Sequence, residues 1–197
     1  PKTRQLNAAL SDWLGGQATS QGVSAIDNAW HQPAQALMAN NRPAYYPADY
    51  LQWIDWIIRE MGTECSIVMH GISMGGATVL MTAGERLPPN VKAVISDCAF
   101  TSVYDEVSYV MKKWYRIHDE ELLKEVSRKS KESASYSFEE ASTLEQVKKI
   151  SIPVLFIHGE EDSFIPLWMV YALYDACSAP KQLFTVPLAN HATSSRV

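Results

Sequence analysis

The chain contains no lysine- or arginine-rich run, and its 17 basic residues are outnumbered by 22 acidic ones, for a formal charge of −5. Non-specific nucleic-acid binding needs a basic footprint that displaces counterions, so this balance argues against such a partner. No apolar stretch approaches the roughly 18 residues of a membrane-spanning helix, and the N-terminus carries no signal-peptide core. Cysteine is scarce and scattered: Cys65, Cys98 and Cys177 stand far apart in apolar contexts. An odd, unclustered set forms neither a disulfide framework nor a metal knuckle, and small buried core residues are expected instead. The five histidines show no pair at metal-ligand spacing, so no metal and no cofactor is expected. A reducing, cytoplasmic location fits this cysteine usage.

What is present is an ordinary globular composition, 47% hydrophobic and 20% charged over 197 residues, enough for one domain with its own core. From Asp49 onward the chain alternates between helical and buried-strand patterns. Asp49–Met61 places Leu51, Ile54, Ile58 and Met61 on one helical face, with Gly62 as the stop. Cys65–His70 has no polar alternation in its centre and reads as a strand covered on both faces. Gly75–Arg86 reads as a buried helix ended by Pro88-Pro89. Val91–Ile95, Ile152–Ile157 and Gln182–Val186 are further strands, with a helix over Leu167–Ala176. Strand and helix alternating in this way predict an α/β fold with a mostly parallel sheet and helices on both faces. Residues 48–197 form this core. Within it, about 101–149 is a polar, helix-prone, lid-like insertion. Residues 1–47 differ, with an amphipathic pattern over Thr3–Leu14 and a weak helical stretch over Ile26–Asn40.

Gly71-Ile72-Ser73-Met74-Gly75-Gly76 joins the first of these strands directly to a helix. The bare pattern G-x-S-x-G arises by chance in roughly 4% of chains of this composition. Its setting is more specific, because a strand that turns sharply into a helix holds the serine at the apex in a strained conformation. Glycines two before and two after the serine are expected to remove Cβ atoms that would collide. The helix N-terminus beneath offers free N–H groups to an oxyanion, and the amide of Met74 is the expected donor.

A nucleophilic serine needs a base, and the base needs an orienting acid. The third strand ends in His158-Gly159-Glu160-Glu161-Asp162-Ser163, and the fourth is followed by Pro187-Leu188-Ala189-Asn190-His191-Ala192. Both loops leave the carboxyl ends of strands, where ligands bind in open parallel sheets. Asp162 as acid and His191 as base complete the order Ser, Asp, His. Glu160, Glu161 and Asp97 compete for the acid role. His70 and His158, each before a glycine at a strand end, read as structural, and His31 and His118 lie in polar context.

These residues resemble the α/β-hydrolase superfamily, and most of all bacterial serine hydrolases of the cell-surface hydrolase or serine aminopeptidase-like kind. The similar stretches are D-Y-L-Q-W-I-D-W-I-I, H-G-I-S-M-G-G-A-T-V-L, V-I-S-D-C-A-F-T-S-V, I-P-V-L-F-I-H-G-E-E-D-S-F-I-P and N-H-A. The resemblance implies hydrolysis of an ester, thioester or amide through an acyl-serine at Ser73, with Asp162 and His191 on the matching positions. It implies a small-molecule or peptide acyl substrate, and some relatives work at the cell surface from an N-terminal anchor. Only the last four strands of the superfamily's larger sheet have counterparts here, so the N-terminal strands are expected to be missing or replaced. The loop that lends a second oxyanion donor is absent from the pattern. An apolar strand without a partner on one side predicts a homodimer through an open sheet edge. The alternative function is a non-catalytic hydrolase remnant or binding module. Trp114, Tyr115 and Trp168 are candidates for an apolar acyl pocket or for plain packing.

Overall fold

A computed structural model describes residues 47–134 and 136–196. The expected helices over Thr3–Leu14 and Ile26–Asn40 lie outside these residues. The described elements are α1 (Pro47–Met61), β1 (Ile67–Ile72), α2 (Met74–Ala83), β2 (Val91–Asp97), α3 (Val103–Trp114), α4 (Glu120–Ala134), α5 (Thr143–Val147), β3 (Val154–Gly159), α6 (Trp168–Ala176) and β4 (Lys181–Val186). The four strands form one parallel sheet in the order β1-β2-β3-β4. Each parallel step needs a crossover, and the helices between the strands supply it.

Packing explains most of the sequence pattern. β3 (V-L-F-I-H-G) is buried at every position, and α2 buries everything from Gly76 to Ala83. α2 lies against β1 and β2 and touches α1 and α5, while α6 lies against β3 and touches α5. These helices thus make one connected layer over the sheet. Ile54 of α1 is buried in that layer, with Leu51, Ile57 and Ile58 packed beside it. Met61, expected on the same face, is instead 62% exposed. It ends the helix just before Gly62, whose φ of 92° turns the chain away.

β1 departs from the expectation of a strand covered on both sides. Ile67, Met69 and Gly71 are buried, whereas His70 and Ile72 are exposed. β1 ends the order, and among the described residues it pairs with β2 alone. The segment 101–149 is helical, as its composition predicts, and supplies α3, α4 and α5. Ser102 caps α3 by accepting from the amide of Asp105, and Ser142 caps α5 by accepting from that of Glu145. Cys98 and Cys177 are buried, and Cys65 is half-buried. Among the described residues no helix is long and apolar enough to cross a membrane.

Candidate active site

Ser73 sits between β1 and α2 with φ 57° and ψ −121°, a conformation that costs a non-glycine residue about 1–3 kcal/mol. Three contacts hold it there. The Ser73 amide donates to the carbonyl of Asp97 at 2.8 Å, tying the apex to the end of β2. A Cβ on Gly71 would stand 2.1 Å from the carbonyl oxygen of Gly75, so only glycine lets the incoming strand pass the helix that leaves it. A Cβ on Gly76 would stand 2.7 Å from the carbonyl oxygen of Asp97. Gly75, expected to relieve a collision, faces open space, with nothing within 4 Å of its Cβ position. The close approach falls one residue later, where α2 crosses β2.

The hydroxyl of Ser73 lies 2.9 Å from Nε2 of His191, and Nδ1 of His191 lies 2.8 Å from Oδ2 of Asp162. With Nδ1–H donating to the carboxylate, Nε2 is left as the acceptor for the serine proton. The sequence-predicted Ser73, Asp162 and His191 are therefore brought into one hydrogen-bonded relay by three separate strand ends. Met74 opens α2, so its amide belongs to the first turn, whose N–H groups have no partner within the helix.

The carboxylate is fixed on its other side. Oδ1 of Asp162 accepts from the amides of Phe164 at 3.0 Å and Ile165 at 2.9 Å. His158 packs beneath, fully buried, with Nε2 donating to the carbonyl of Ile165 at 2.9 Å. Burial pushes the His158 pKa down, which keeps this imidazole neutral and structural. Asn190 joins the acid and base loops, its Oδ1 accepting from the amides of His191 at 2.7 Å and Ser163 at 3.4 Å.

The competing residues are engaged elsewhere. Asp97 accepts from the hydroxyl of Ser194 at 2.9 Å, and burial raises its pKa. Glu160 accepts from the hydroxyl of Thr185 and is exposed, as is Glu161. His70 is exposed on β1. Trp114, Tyr115 and Trp168 are all at least half exposed, so none is part of the core.

Two residues near the relay are not evident in the sequence. Cys98 follows β2 with φ 44°, is fully buried, and places its sulfur in a cluster with the Asp162 and His191 donors, all within 4.8 Å of one another. A soft metal has three donors there, but it would have to displace the proton shared by His191 and Asp162. The pKa of His191 is held above the ordinary histidine value chiefly by the hydrogen bond to Asp162, with the neighbouring Cys98 acting in the same direction, against the opposing effect of burial. The other is Glu106 of α3. It is buried, with both carboxylate oxygens unpartnered among the described residues and a pKa raised by burial to about 7.

The signature of the prolyl oligopeptidase family matches residues 17–196. The chain belongs to that family. It therefore has the fold of the α/β-hydrolase superfamily, as the motifs imply, and the family is one of hydrolases. The uncharacterised protein YqkD of Bacillus subtilis is 30% identical over 151 residues, which cover 76% of this chain and 50% of that protein. The chain thus spans about half the length of this curated relative. In fold it is similar to the acylaminoacyl peptidase of Pyrococcus horikoshii (TM-score 0.55, 20% identity), covering 76% of this chain and 24% of that one. It is likewise similar to acetyl xylan esterase 1 of a Thermoanaerobacterium species (TM-score 0.54, 21% identity), covering 74% of this chain and 46% of that one.

Proposed function

We propose that this chain carries the acyl-transfer site of a serine hydrolase that cleaves an ester, thioester or amide of a small-molecule or peptide substrate. The observation that carries the reading is the unbroken relay from Ser73 through His191 to Asp162, at 2.9 and 2.8 Å. The esterase and peptidase among the fold neighbours are in keeping with it.

In the proposed reaction the Ser73 oxygen attacks the substrate carbonyl carbon while its proton passes to Nε2 of His191. Asp162 faces the imidazolium that forms, and its two backbone N–H donors keep it from turning away. The carbonyl oxygen becomes an oxyanion beside the N-terminus of α2, where the Met74 amide is the donor. Collapse breaks the bond to the leaving alcohol, thiol or amine, which departs with the proton from Nε2. Water then gives a proton to His191 and attacks the acyl-serine, and the carboxylic acid leaves as Ser73 recovers its hydrogen. The exposed ring of Phe164, 5.1 Å from that of His191, offers the acyl chain an apolar wall. The sequence needs no cofactor for any of these steps.

Turnover of a graded set of p-nitrophenyl acyl esters tests the reading. The protein should show saturable hydrolysis, and Ser73→Ala should lower it by at least about 10³-fold while leaving the circular dichroism unchanged. Equal activity in the two proteins would contradict it and favour a binding module that retains the fold without the chemistry.

A further inference from the structure

α3 starts just past the end of β2 and lies across the loop that carries Asp162. Tyr109 donates from its hydroxyl to the carbonyl of Ser163 at 3.4 Å, and Lys113 donates to the same carbonyl at 3.0 Å. Glu106, Tyr109 and Lys113 are spaced by three and four residues, so they share the face of α3 turned toward that loop. Glu106 is the one described residue of α3 that is buried. The outside charges acting on it are those of His191, which favours the carboxylate, and Asp162, which opposes it. This acid thus lies on the face of α3 turned toward the acid loop, within electrostatic reach of His191 and Asp162.

No protein group completes it. Both oxygens of Glu106 lack a hydrogen-bond partner among the described residues, at 8% exposure. The neighbouring polar groups are committed. Asp105 accepts from the hydroxyl of Thr101 at 2.6 Å, Lys113 is held by Tyr109 and Ser163, and Asp162 by His191 and two amides. A buried carboxyl left without partners opposes folding, and an apolar or amide side chain of similar size would pack there at less expense. Its free acceptors suit a compact cation with several N–H donors. A metal ion would find one uncommitted carboxylate and no second one, whereas an ammonium group needs only the two oxygens present.

We propose that Glu106 is the specificity residue for a positively charged amino group carried by the acyl part of the substrate. Resting on the acyl-serine reading above, this names the substrate class as amino-acyl compounds. The ammonium group meets Glu106 under α3, the acyl carbonyl meets Ser73, and the exposed ring of Phe164 walls the carbon chain between them.

Three pairs of p-nitroanilides test the proposal, each pair differing only by a terminal ammonium or methyl group: glycyl against propionyl, β-alanyl against butyryl, and 4-aminobutyryl against pentanoyl. For at least one chain length kcat/KM should favour the ammonium member by about 10- to 100-fold, the scale of a charge-assisted hydrogen bond. Glu106→Gln should bring that ratio close to one, mainly through KM, and Glu106→Asp should restore part of it. A ratio at or below one for every pair, or one that survives Glu106→Gln, overturns the proposal. Calorimetry of n-butylammonium binding to Ser73→Ala reads the same contact without turnover. Binding should be measurable and should vanish in Ser73→Ala/Glu106→Gln, and its absence from the single variant also overturns the proposal. Cleavage of the neutral anilides without ammonium preference leaves the hydrolase reading standing and removes this one. Ammonium binding that requires Glu106 without any cleavage leaves the Glu106 contact standing but overturns the hydrolase reading, and with it the amino-acyl substrate class.

Discussion

Gly159 and Ala189 meet backbone to backbone: a Cβ on the glycine would stand 2.4 Å from the alanine carbonyl oxygen. Gly159 ends β3 just before the acid loop, and Ala189 lies two residues before His191. The same carbonyl accepts from the amide of Glu161 at 3.0 Å, so this peptide group fastens the loops that carry acid and base alongside the Asn190 contact. The distance between His191 and Asp162 therefore depends on a glycine that touches neither side chain.

Gly159→Ala is expected to force these loops apart. The overpacking should lower stability by about 1–3 kcal/mol, and modification of Ser73 by a fluorophosphonate should slow by more than tenfold in the protein that remains folded. Denaturant unfolding and labelling rates measure the two effects. Full stability with full labelling would show that the backbone contact is slack.

The elbow glycines give a second, graded prediction. Gly71→Ala and Gly76→Ala push a methyl group against backbone at 2.1 and 2.7 Å, whereas Gly75→Ala meets open space. Thermal unfolding should show the first two strongly destabilised and Gly75→Ala within about 0.5 kcal/mol of the parent. A reversed order would mean that α2 leaves the apex at a different angle.

The protonation of His191 predicts the shape of the pH profile. Nucleophile activation needs neutral imidazole, and the hydrogen bond that His191 donates to Asp162 raises the His191 pKa, so activity rises with pH through a limb above the ordinary histidine value of about 6.5. Asp162→Asn removes the chief cause of that elevation. The limb should move down, while kcat falls by on the order of 10³–10⁴. A limb that stays in place in the variant would separate Asp162 from the titrating group.

Glu106 predicts a stability change with a definite sign. Its carboxyl has a folded pKa of about 7, raised by burial from 4.5. Below about pH 4.5 it is protonated in both states and carries no penalty. Between 4.5 and 7 the unfolded chain ionises first and stability is lost, and above 7 the loss is complete. Glu106→Gln should therefore be more stable than the parent at pH 8, by about 1–2 kcal/mol after solvent screening. The difference should close at pH 4. Urea unfolding at the two pH values measures it, and a gain independent of pH would attribute the effect to packing.

The relay was legible in the sequence because each of its members is announced locally. Ser73 lies in a strand–Gly–x–Ser–helix string, Asp162 follows a fully apolar strand run, and His191 follows the shorter strand pattern Gln182–Val186. The same locality explains the errors. The G-x-S-x-G pattern singles out Gly75, but the tight crossing is set by the angle of α2 over β2 and falls on Gly76. Met61 continues the apolar period of α1 past the point where the helix leaves the core. Glu106 reads as one more polar residue in a charged segment, because its burial depends on how α3 crosses the acid loop. Cys98 is the small buried residue that the sequence predicts, and only the folded chain shows its sulfur beside the Asp162 and His191 donors.

Intact-mass analysis and peptide mapping after treatment with a fluorophosphonate probe bear on the acyl-serine chemistry without knowledge of the natural substrate. A single adduct on Ser73 is predicted, slowed by orders of magnitude in His191→Gln. Folded protein that stays unmodified at Ser73, under conditions that fully label an active serine hydrolase, would contradict it.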